Sequence, residues 1–141
     1  MQVTSFEINV IDAKRFAKVS EKMANIRIDH NSTVSQISKI SDSSASVEYR
    51  FTVNYAGMGY IKMEGNMVLE VDANEVLKEW TSTGSMPNDV ANLVHNTVVS
   101  NCIPTALLVA RDVRMPPPFP LPRINIQKKS EATRTGGPEV A

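Results

Sequence analysis

Cysteine is almost missing from this chain: Cys102 stands alone among 141 residues. No intramolecular disulfide is possible, and a reducing, cytoplasmic setting is the natural expectation. An excess of one charge is missing too. Fifteen lysines and arginines balance fifteen acidic residues, and no block of five or six like charges occurs. That argues against nucleic acid or a charged membrane surface as a charge-driven partner. Aromatics are sparse at 6%, while a hydrophobic fraction of 42% is enough for one real core. The start, MQVTSFEINV, has neither the basic nor the apolar region of a signal peptide. No run approaches the roughly 18 consecutive apolar residues of a membrane span, so no stable membrane insertion is expected. The length suits about one domain.

Catalytic and metal motifs are also lacking. There is no G-x-x-x-x-G-K-[ST], H-E-x-x-H, paired C-x-x-C or G-x-S-x-G. His30 lies near the end of a predicted strand and reads as a solvated turn histidine. His95 and Cys102 are seven apart on one predicted helix, and two ligands are too few for a zinc site. Cys102 reads as a buried structural thiol. Arg111 and Asp112 are adjacent, and adjacent residues on a helix do not face each other. The expectation is a protein that is not an enzyme, with no metal and no cofactor.

What is present is pattern. In SVEYRFTVNYA, Val47, Tyr49, Phe51, Val53 and Tyr55 alternate with polar residues. Beyond Gly57-Met58-Gly59 the alternation resumes through Ile61, Met63, Met67, Leu69 and Val71, which predicts an antiparallel hairpin. Gly65 falls on the apolar parity and predicts a bulge or a close backbone approach. Upstream, Phe6, Ile8 and Val10 mark one strand and Ile26, Ile28, Val34, Ile37 and Ile40 another, with a parity change after Val34 that implies a bulge or bend. SDSSAS reads as a turn. The sum is α+β: a four-stranded antiparallel meander with one apolar and one polar face, over about residues 3–72, then two C-terminal helices.

The first helix spans about 73–83, with Asp72 as N-cap, Glu75 three residues on and Gly84 at the stop; Val76, Leu77 and Trp80 mark its apolar side. The second spans about 87–115, with Pro87 in its first turn and a kink expected at Pro104. Its TALLVA stretch is apolar almost all round, more than one sheet can cover. Another copy of the chain is the economical cover, which makes Ala106, Leu107, Leu108 and Val109 candidates for an oligomer interface. Residues 116–126 follow, rich in proline and therefore extended and stiff. They read either as a rigid connector into a last short strand at 123–126 or as one wall of an apolar binding surface carrying Phe119 and Leu121. The domain closes at 126, and the tail 127–141 lacks apolar periodicity and is expected to be disordered.

This element order, with NCIPTALLVARDV followed by RMPPPFPLPRINI, resembles the SecB protein-export chaperones. Their helix likewise contains Cys-Pro and ends in an Ala-Arg-acidic triplet before a stretch bearing Phe-Pro and Leu. The resemblance implies a SecB-like fold with helices packed between sheets, a dimer of dimers, and an ATP-independent holdase that grips unfolded or partly folded polypeptide clients in apolar grooves, as in protein export. Phe119, Leu121, Trp80, Val76 and Met63 are the candidates for groove lining; the methionines also suit a surface that accepts varied apolar segments. Two departures stand out. The tail QKKSEATRTGGPEVA has neither the cysteine nor the histidine of the family's zinc-binding tail, and the balanced charge lacks the family's acidic sheet surface. Zinc and a SecA-type motor partner are therefore not expected, and one dedicated client, such as an antitoxin, fits as well as general export. The alternative is an interaction module whose PPPFPLP is itself the ligand of an aromatic-lined groove on a partner.

Overall fold

The computed structural model describes residues 1–18, 26–122 and 124–126; the predicted disordered tail and Arg123 lie outside them. Four long strands, β1 (Gln2–Arg15), β2 (Ile28–Ser41), β3 (Ser44–Tyr55) and β4 (Gly59–Glu70), are followed by α1 (Ala73–Thr83) and α2 (Asn88–Asp112). The strands form one antiparallel sheet in the order β1-β4-β3-β2. The meander therefore runs through β2, β3 and β4, and β1 is added beside β4 rather than beside β2. Tight turns at Asp42-Ser43 and Ala56–Met58 oblige β2, β3 and β4 to be neighbours. The longer connection over 16–27 places no such demand on β1, which leaves β1 and β2 as the two edges.

Alternation does the rest. Ala45, Val47, Tyr49, Phe51, Val53 and Tyr55 of β3, and Ile61, Met63, Met67 and Leu69 of β4, are all buried on one face. Both anticipated irregularities are present. The β2–β3 register shifts between Val34 and Gln36, which returns Ile37 to the buried face. Gly65 faces a shift in β1 between Ile8 and Val10. A Cβ there would come within 1.9 Å of the Glu7 carbonyl oxygen and 2.6 Å of the Tyr49 hydroxyl. Tyr49 donates to that same carbonyl at 2.8 Å, so the missing side chain is the space through which β1 is tied to β3.

α1 starts where Asp72 accepts from the Glu75 N–H at 3.2 Å, and it ends at Gly84 in the left-handed region, φ 75°. α2 buries Val90, Val94, Val98, Cys102, Ala106 and Ala110. A row at every fourth residue winds slowly round a 3.6-residue helix, so it crosses the sheet obliquely. The helix continues through Pro104. By length and composition it is long and apolar enough to cross a membrane, yet this row packs on the sheet and Asn92, Asn96, Ser100 and Asn101 are exposed. It stops three residues short of the expected 115 because Arg114 turns left-handed at φ 59° and the Met115 N–H closes back on the Ala110 carbonyl at 2.8 Å.

Candidate binding surface

From that turn the proline-rich segment leaves α2 and crosses the end of the sheet as a strap. Arg15 at the end of β1 donates from Nη2 to the Arg114 carbonyl at 2.6 Å. Gly59 at the start of β4 lies against Met115, whose sulfur would be 2.9 Å from any Cβ there. The hydroxyl of Tyr55, at the end of β3, donates to the Pro116 carbonyl at 2.7 Å. His30 of β2 donates from Nε2 to the Pro118 carbonyl, with its ring stacked on Phe51 at 6.3 Å between centroids. Four successive anchors thus follow the strand order β1-β4-β3-β2.

The chemistry of the segment suits this path. Four residue steps at a polyproline rise of about 3.1 Å span about 12 Å, and three inter-strand spacings of about 4.8 Å come to about 14 Å. Proline has no N–H, so the strap can be held only through its carbonyls and by packing. Two of the proline carbonyls receive side-chain donors, and Pro118 is fully buried. Burial pushes the Tyr55 hydroxyl pKa up to about 12, so it stays a donor throughout the neutral range.

Past Pro118 the chain clears the β2 edge. Phe119 is half-buried and Leu121 is 47% exposed. Residues 124–126 have no regular structure, so the predicted last strand is not formed there, and Ile124 and Ile126 are almost wholly exposed. α1 packs along β2, and its Trp80 is partly buried against the core. Trp80, Phe119 and Leu121 thus all keep some surface, Trp80 on the helix that starts beside Asp42 at one end of β2, and Phe119 and Leu121 just past the strap contact at His30 near its other end. Val76 and Met63 do not join them. They are 3% and 0% exposed, Met63 because it shares the buried parity of Ile61 and Met67, Val76 because it faces the core from α1. Neither gives surface to a groove.

The four candidates on α2 divide in the same way. Ala106 is buried in the core row, Leu107 and Val109 are half-buried, and Leu108 is 55% exposed; Val99, half a turn out of phase with Leu108, is exposed as well. The outward apolar surface of α2 is therefore Val99, Leu107 and Leu108 with partly buried Ile103. On β1, Val10 and Ile11 are exposed, as is Phe16 just past its end.

His95 and Cys102 part company. The His95 Nδ1 and the Ser32 hydroxyl are 2.8 Å apart and share a hydrogen bond, tying α2 to β2. Cys102 is buried beside Tyr49; burial raises its thiol pKa to about 11, and the neighbouring Tyr49 hydroxyl acts in the opposite sense. Among the described residues no three His, Cys, Asp or Glu side chains converge to hold a metal ion. The polar face of the sheet mixes signs, with Arg50 paired to Glu64 at 2.7 Å and Tyr60 donating to Asp12 at 3.2 Å. At the opposite end from the strap, Asp42, Glu70, Asp72, Glu75 and Asp89 border an open cleft of about 680 Å³. Asp72 caps α1, Glu75 and Asp89 lie in the first turns of α1 and α2, and Asp42 is paired with Lys39, so helix starts and a turn account for most of them.

Sequence reasoning missed the anchors. His30 is exposed, but it is not a turn residue: from the third position of β2 it joins the sheet edge to the strap. The signal was available, because His30 shares parity with Ile28, Ser32 and Val34 on the core-facing side of β2.

No protein-family model matches the sequence, and no curated protein sequence matches it. Among solved structures, the chain is similar to the Mycobacterium tuberculosis Rv1957 SecB-like chaperone in complex with a ChAD peptide from the Rv1956 HigA1 antitoxin. The match has a TM-score of 0.54 at 11% sequence identity, over 90% of this chain and 92% of that one. At that identity the likeness shows the fold: a SecB-like four-stranded antiparallel sheet followed by two helices.

Proposed function

We propose that this chain is a SecB-like molecular chaperone, an ATP-independent holdase for non-native polypeptides, with no catalytic role. One observation carries the reading: a strap held across the end of the sheet leads directly into Phe119 and Leu121, which keep uncovered apolar surface just past its last anchor. A stiff mount lowers the ordering cost of binding. Apolar burial, at about 25 cal/mol per Å², requires no sequence code in the client. The solved relative of this fold holds a peptide from another protein, which supports polypeptide as the ligand class. In this reading the assembly is a homo-tetramer, a dimer of dimers. Leu108 and its neighbours on α2 lie at its interface, and it works in the cytoplasm on general export clients or on one dedicated client.

The mixed-sign sheet face and a tail without Cys or His favour a chaperone that needs neither zinc nor a SecA-type motor. The alternative, PPPFPLP as a free ligand for another protein, is disfavoured because Pro118 is buried and the Pro116 and Pro118 carbonyls are already engaged. The test is equilibrium binding of a fluorescently labelled, reduced and carboxymethylated polypeptide in ATP-free buffer. Saturable micromolar or tighter binding, lost once the polypeptide is replaced by a folded protein, is expected. Binding of neither, or of both alike, sinks the proposal.

A further inference from the structure

The two directed bonds on the strap do more than close it down. We infer that His30, seconded by Tyr55, is the positioning residue of this surface: it sets the point at which the chain leaves the sheet, and hence where Phe119 and Leu121 stand. The inference rests on the chaperone reading for its purpose, but its structural part stands without it.

Three observations carry it. The strap has few ways of being held. Pro116, Pro117 and Pro118 have no N–H, so no strand ladder can fix their register, and besides the packing of Met115 and Pro118 the directed restraints on them are the side chains that reach their carbonyls. Those side chains are at the right places: Tyr55 at the end of β3 on Pro116 and His30 at the β2 edge on Pro118, one residue before Phe119. The ring of His30 is itself fixed, stacked on buried Phe51. Two residues along β2, Ser32 holds His95 of α2. The edge strand is thus pinned to both the strap and the helix from which the strap departs.

The role separates from simple packing because the donor and the ring can be varied independently. His30→Phe keeps an aromatic ring on Phe51 and removes the donor. His30→Gln loses the ring and keeps an N–H that can reach the carbonyl. Tyr55→Phe removes a single oxygen from a core residue. Two readouts apply to each full-length variant: the backbone N–H order parameters of Phe119 and Leu121 from NMR relaxation, which their proline neighbours cannot report, and the affinity for the labelled, carboxymethylated polypeptide.

His30→Phe combined with Tyr55→Phe should lower the order parameters of Phe119 and Leu121 from a rigid value of about 0.8 to below about 0.6. β3 amides should stay protected from hydrogen exchange, and the polypeptide should bind about fivefold or more weakly, since the two side chains must then be ordered on binding. His30→Gln alone should keep the order parameters near wild type and the affinity within about twofold. Wild-type order parameters in the double variant overturn the inference, and so does a Gln variant as loose as the Phe variant, which would assign the effect to stacking. If the wild type binds no polypeptide, the chaperone reading fails, while the order parameter of Phe119 still decides whether His30 holds the strap.

Discussion

Replacing Phe119 and Leu121 together by serine separates a binding surface from a core. Leu121 is 47% exposed, while Phe119 is mostly buried and keeps only part of its surface free. A large apolar side chain contributes about 1.5–3 kcal/mol when fully buried, so the fold already uses about half of that at Leu121 and most of it at Phe119, leaving roughly 1 and 0.5 kcal/mol for a client. The double variant should therefore lose about 1.5 kcal/mol of binding free energy, roughly a tenfold rise in Kd at about 1.4 kcal/mol per tenfold. The fold should lose about 2–3 kcal/mol, which for a domain of this size lowers Tm by several degrees and not by tens. Thermal unfolding and suppression of client aggregation, measured on the same preparation, read the two quantities. A fall in Tm of more than about 15 °C would make these residues part of the core. Unchanged suppression with an unchanged Tm would remove them from the site.

Other expectations follow from the same geometry. Gly65→Ala should destabilise by about 2–4 kcal/mol in denaturant titration, because its Cβ meets the Glu7 carbonyl and the Tyr49 hydroxyl and a packed sheet cannot move aside cheaply. Leu108→Glu alters an exposed position, so the protomer's circular dichroism should persist while light scattering reports a smaller assembly, the charge being buried without a partner only in the interface. Alkaline titration carries a defined sign. Burial raises the Cys102 pKa from 9.0 to about 11 and that of Tyr55 from 10.0 to about 12. The unfolded chain thus gives up these protons first. The stability linked to them is complete below about pH 9 and is lost as pH rises towards 12. Chemical denaturation at pH 8 and pH 11 checks this, and Cys102→Ala should flatten the lower part of the decline. Untagged protein should contain no stoichiometric zinc by elemental analysis.

Much of the fold was legible because β3 and β4 alternate without interruption, and one buried face fixes register: a slip by one residue would turn Tyr49 and Met63 outward. The caps of α1 and the irregularities at Gly65 and Val34 were legible for the same reason, each being a local departure from a clear period. The place of β1 was not. Nothing in its alternation distinguishes pairing with β2 from pairing with β4; turn lengths decide it. The candidate site was half legible. Proline chemistry announced a stiff strap, and Phe119 and Leu121 stand out from it. Its anchors, Arg15, Gly59, Tyr55 and His30, are spread along the chain and meet only because the sheet aligns four strand ends. Val76 and Met63 were assigned to a groove from apolar character alone, which does not tell core from surface.

The most direct test of the central claim is aggregation of a chemically denatured client diluted into ATP-free buffer, followed by light scattering against the molar ratio of this protein, with native mass recorded in parallel. The account predicts suppression that saturates near a fixed ratio of client to assembly, together with a complex of client and tetramer. Full aggregation of the client at a several-fold excess of folded protein would contradict it.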